Sequence, residues 1–101
     1  MPRVTIDLEH AIGVDEAVHR LKSHYDAMKT QHQSQMKILD EQWEDAALKL
    51  RFQTFGMTIQ SNVSIEPSRV TVQVELPLMA AMFKGKIEQE IRRELGRLLA
   101  I

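Results

Sequence analysis

The sequence predicts a two-layer α+β domain, in which a mostly antiparallel sheet of about five strands, ordered β-α-β-β-β-β-α along the chain, carries two helices on one face. Three observations point to it. Residues 4–8, 48–52, 57–65 and 70–76 alternate apolar with polar side chains, the pattern of half-buried strands. Residues 14–28 and 80–98 instead repeat their apolar positions at about 100° per residue, the pattern of amphipathic helices. The last three strands are separated only by short turns, which implies antiparallel neighbours with one dry and one wet face.

The first strand turns Val4, Ile6 and Leu8 to one side and Thr5, Asp7 and Glu9 to the other, until Gly13 breaks it. From Val14 the stripe Val14, Ala17, Val18, Leu21, Tyr25 and Met28 defines a helix to about Gln33. Asp15 and Glu16 stand in its first turn, where negative charge is favoured. Lys37 to Trp43 is a weaker strand with Trp43 inward and its facing ambiguous, since Ile38 and Leu39 are adjacent. Leu48, Leu50 and Phe52 then alternate with Lys49, Arg51 and Gln53, and Gly56 marks a turn. Met57, Ile59, Val63 and Ile65 follow, then Val70, Val72, Val74 and Leu76, and Pro77 ends the sheet. Only the stripes of the two helices can cover the dry face, so both are placed on it.

Length and composition narrow the classes. The 101 residues are read as one domain, large enough for a core without metal or disulfide support. Thirteen basic against fourteen acidic residues give a formal charge of −1, which removes a whole-molecule electrostatic case for nucleic acid. The wet sheet face offers Lys49 and Arg51 without an aromatic to stack on a base, so no nucleic-acid partner is expected. The absence of cysteine excludes thiolate chemistry and Cys-based zinc sites. Residues 1–13 lack the apolar stretch of a signal peptide and no run approaches the roughly 20 residues of a transmembrane helix, so the expected location is cytoplasmic.

The segment "LPLMAAMFKGKIEQEI", Leu76 to Ile91, carries the main functional question. Projected as a helix, Ala80, Phe83, Ile87, Ile91, Leu95 and Leu98 form a core-facing arc, so aspartate at Phe83, Ile87 or Ile91 is expected to unfold the domain. Leu78, Met79 and Met82 fall outside that arc. They are either wrapped by the rest of the fold or exposed as a surface for a partner chain, a lipid-like phase or a second subunit. Gly85 and Gly96 share a stripe and suggest a close helix contact, within the chain or across a homodimer. Lys84 precedes Glu88 by four residues and is expected to pair with it.

Chemistry is otherwise sparse. His10 has inward parity and His32 lies near the helical stripe, but no HExxH, Walker or GxSxG pattern accompanies them, so no metal, cofactor or catalytic residue is expected. The histidines are read as polar-ended core or surface residues. "FKGKIEQEI" followed by "LGRLLA", preceded by "SRVTVQVEL", resembles the C-terminal half of the polyhydroxyalkanoic acid system family of small bacterial proteins. "HAIGVDEA" is similar to that family's strand, Gly and helix opening, and Trp43 stands where its second strand usually carries a tryptophan. The resemblance covers essentially the whole chain.

It implies association with polyhydroxyalkanoate storage, at the granule surface or with a granule protein, and carries over no catalytic residues. Phe83 to Lys86, its most specific positions, mark either a fold constraint or a site. The expected function is therefore a non-enzymatic accessory protein contacting a granule through Leu78, Met79 and Met82. The alternatives are a domain holding an acyl-type small molecule between the C-terminal helix and the sheet, or a homodimeric interaction module.

Overall fold

The computed structural model describes residues 2–100. Its elements are β1 (Arg3–Glu9), α1 (Gly13–Gln31), β2 (Met36–Glu44), β3 (Ala47–Thr54), β4 (Met57–Ile65), β5 (Arg69–Glu75), a 3₁₀ segment (Leu78–Phe83) and α2 (Lys84–Leu98). The five strands form one antiparallel sheet in the order β1-β5-β4-β3-β2, so β1 reaches β5 at one edge and α1 carries the chain across to β2 at the other. The predicted α+β class and element order hold.

Alternation fixes which side of each strand is dry. Val4 faces Val74, Ile6 faces Val72 and Leu8 faces Val70; Val63 and Ile65 of β4 oppose Val72 and Val70 in turn. Ile6, Leu76, Val4 and Val70 are the largest side chains removed wholly from water. Ala17 from α1 and Leu95 and Leu99 from the C-terminal end close over them, with Val18, Leu21, Ile87 and Ile91 at the flanks. Both helices thus pack on the same face.

The ambiguity at Ile38 and Leu39 has a physical cause. The register of β2 against β3 shifts between Ile38 and Asp40, a bulge that leaves Leu39 unpaired and changes the parity of the inward residues from Met36 and Ile38 to Glu41 and Trp43. The bulge puts a carboxylate on the apolar side. Lys29 of α1 meets it, with Nζ 3.0 and 3.2 Å from the two Glu41 oxygens. Tyr25 and Trp43 pack edge to face at 6.2 Å, and Lys29 and Lys22 lie over their rings at 4.7 and 5.0 Å.

The helices diverge. Near its N-terminal end α1 is tied to the end of α2, because Arg20 donates to the carbonyls of Leu98 and Ala100 at 2.9 and 2.6 Å. The later turns of α1 cover β2 at one edge, whereas α2 lies against β1 at the other. At one end of the sheet β5 leaves it and β4 begins.

Candidate functional site: an apolar end of the sheet

Two segments distant in sequence meet at that end. The first is the β3–β4 turn, Phe55 and Gly56, whose φ angles of 51° and 74° are those of a type I′ hairpin turn. The turn suits the twist of the strands, and glycine enters the left-handed region freely. Phenylalanine does not: its Cβ crowds the backbone there, and asparagine is the residue that hairpins of this type prefer. Yet the Phe55 side chain is 81 % exposed, so no burial compensates for the strain.

The second is the 3₁₀ segment after Pro77. Residues three apart eclipse one another in such a helix, so Met79 and Met82 stand in one column, and both point to solvent at 71 % and 82 % exposure. Leu78 is equally open at 81 %. Ala80 is buried and anchors the segment. An open groove of about 640 Å³ joins the two segments, lined by Gly56, Met57, Thr58, Pro77, Leu78 and Met79. It lies at the end of the sheet, away from the interval between α2 and the sheet that the alternative of an acyl-type ligand requires.

The structure therefore brings Leu78, Met79 and Met82 together on the surface and adds two residues the sequence reading placed elsewhere. Phe83, assigned to the core arc, is 54 % exposed. The correction follows from the path of the chain: β5 ends at Glu75, and residues 78–83 form a 3₁₀ segment that buries Ala80 alone, so within α2 the core-facing stripe begins at Ile87. At the other end of the stripe Leu99, more than Leu98, enters the core. Phe55 was read only as part of a turn. Its signal was legible in principle, since a large apolar residue before Gly56 occupies a place where Asn or Asp is usual.

Charge around this end is one-sided. Neither Gln53–Thr58 nor Leu76–Ile87 contains a carboxylate, while Lys84 and Lys86 are exposed. The expected Lys84–Glu88 pair is not formed, because Glu88 pairs with Arg92 at 3.4 Å. Glu75, just outside the patch, is taken by Arg3 at 2.7 Å. Gly85 and Gly96 are exposed, and a Cβ at either would meet nothing within 4 Å, so no neighbouring element among the described residues approaches them.

The histidines separate. His10 is buried, its Nε2 donating to the Glu66 carbonyl at 2.9 Å while Nδ1 accepts from the Ile12 amide at 3.3 Å. His32 caps the other end of α1, about 28 Å away along a 19-residue helix. The two cannot share a metal. Among the described residues no group of three or more His, Cys, Asp or Glu side chains gathers to hold one, and no helix is long and apolar enough to cross a membrane. The wet face interleaves Asp40 with Gln42, Lys49, Arg51 and Gln60.

A five-stranded antiparallel sheet with both helices on one face and an exposed apolar end defines a small two-layer α+β protein. The family model described as putative polyhydroxyalkanoic acid system protein matches residues 4–99, and the chain belongs to that family. No curated protein and no solved structure matches the chain at a significant level.

The strained turn gives a direct test. Phe55→Asn is expected to raise stability by about 1 kcal/mol, by relieving the left-handed conformation, while weakening any contact made through this end. A thermal melt and a binding assay on the same variant read both effects, and a loss of stability would assign Phe55 a structural role.

Proposed function

We propose that this protein is a non-enzymatic, cytoplasmic accessory protein of polyhydroxyalkanoate storage that attaches to the polymer granule through Phe55, Leu78, Met79, Met82 and Phe83. The observation that carries the reading is that the five most exposed large apolar side chains, each more than half in water, all belong to two segments more than twenty residues apart that meet at one groove. Exposed apolar patches of this kind are costly in a free monomer and mark contact surfaces. Methionine, unbranched and polarizable, adapts its shape to an irregular apolar phase better than branched or rigid side chains, which suits Met79 and Met82 to a polyester surface without a fixed epitope. The family membership supplies the storage system in which such a surface has a use.

Purified protein is expected to co-sediment with washed polyhydroxybutyrate granules. Met79→Glu combined with Met82→Glu is expected to reduce the bound fraction at least tenfold with an unchanged melting temperature, since both side chains are already in water in the free protein. Equal sedimentation of the double variant overturns the reading.

A further inference from the structure

We infer that the apolar end of the sheet seats on an anionic lipid surface, with Lys84 and Lys86 reaching its phosphates while Phe55, Leu78, Met79, Met82 and Phe83 enter the acyl boundary. The inference rests on the reading above that this end is the binding surface, and it assigns the chemistry of what lies opposite.

Three observations carry it. The first is charge. The chain as a whole is formally −1, yet the two segments that build the patch contain two lysines and no carboxylate, and the carboxylates at either end of the second segment, Glu75 and Glu88, are paired with Arg3 and Arg92. Every arginine of α2 is paired with a glutamate one turn away: Arg92 with Glu88, Arg93 with Glu90 and Arg97 with Glu94. Lys84 and Lys86 have no such partner among the described residues. They also stand in the first turn of α2, where the helix dipole disfavours positive charge, so fold stability gives no reason for them.

The second is shape. The apolar side chains project from a hairpin tip and a short 3₁₀ segment, and the groove between these is open to solvent. A protein partner is usually held by an aromatic or aliphatic anchor buried in a fitted pocket. Protruding apolar tips with basic residues immediately beside them match the demands of a lipid interface, which offers an apolar depth below a negative layer and no pockets at all.

The third is the backbone. Phe55 is held exposed at a positive φ that an asparagine would occupy with less strain. Its side chain is thereby carried to the tip of the hairpin, beside the groove shared with Leu78 and Met79.

The test uses the full chain and vesicles of phosphatidylcholine alone or mixed with phosphatidylglycerol, alongside bare polyhydroxybutyrate particles. Sedimentation is expected to show binding to the anionic vesicles that exceeds binding to the neutral ones about tenfold or more and falls as salt rises. Lys84→Gln with Lys86→Gln is expected to remove most of that excess without lowering the melting temperature, and Met79→Glu with Met82→Glu to abolish vesicle binding. Equal binding to both vesicle types, unchanged binding of the lysine variant, or equally strong retention on soluble polyglutamate overturns the inference. Binding to bare polymer without binding to vesicles overturns it and leaves the granule reading standing. Binding to anionic vesicles without binding to polymer does the reverse.

Discussion

Leu76→Ala is expected to lower the unfolding free energy by about 2–5 kcal/mol, whereas Phe83→Asp, seven residues later in the same apolar run, is expected to change it by less than about 1 kcal/mol. The two side chains look equivalent in the sequence. In the structure Leu76 is 1 % exposed and continues the dry face of β5, with its amide donating to the Pro2 carbonyl at 2.9 Å, so truncation removes transfer energy and leaves a cavity among Val4, Val74 and Ala80 that the sheet cannot collapse to fill. A domain of this size is held by only about 5–15 kcal/mol, so the loss takes a large share of its stability. Phe83 is already more than half in water, and a charge there meets no apolar enclosure. Urea unfolding of the two variants separates the accounts. A large loss for Phe83→Asp would return Phe83 to the core and remove it from the proposed contact surface.

That contrast also marks how far the sequence is legible. Period-two alternation sufficed for β1, β3, β4 and β5, because a strand with one buried face has no freedom to exchange its two sets of side chains. It faltered in β2, where the bulge at Leu39 changes parity, since a bulge depends on local pairing and leaves the composition of the strand unaltered. Helical projection placed Ile87, Ile91 and Leu95 correctly but assumed a single α-helix from the proline onward. The chain instead takes a 3₁₀ path through residues 78–83, with about 120° per residue instead of 100°, which buries Ala80 alone and leaves Phe83 exposed. That Leu78, Met79 and Met82 lie off the core arc was legible, because no projection could bury all of an apolar circumference, but whether the fold wraps them was left open. The place of Phe55 beside them was not legible, because it is created by the register of β4 against β5, which brings the β3–β4 turn beside Pro77.

Raising the pH is expected to unfold the protein through Tyr25, and the sign follows from where that residue sits. Its ring packs against Trp43, and its hydroxyl is buried with no partner at hydrogen-bonding geometry. Burial pushes the phenol well above its ordinary value of 10.0, and the neighbouring Glu41 carboxylate pushes it further in the same direction. The hydrogen bond from Lys29 to Glu41 likewise raises the lysine above its ordinary 10.5, against the opposing effect of desolvation. Both groups bind protons more tightly in the folded than in the unfolded chain. Their contribution is therefore complete below the unfolded values, near pH 10, and is lost as pH rises from there toward the folded ones.

Between about pH 9 and about pH 11.5 the melting temperature is expected to fall by on the order of 5 °C, which corresponds to about 1 kcal/mol for a chain of this length. Tyr25 is the only tyrosine, so the rise of phenolate absorbance reports this one group. In the folded protein the absorbance is expected to appear together with the loss of structure, and Tyr25→Phe, which deletes an unsatisfied hydroxyl at little cost, is expected to flatten the alkaline fall without lowering stability near neutrality. A phenolate that forms around pH 10 while the fold is intact would place the Tyr25 hydroxyl in water and detach it from the packing that holds α1 over β2.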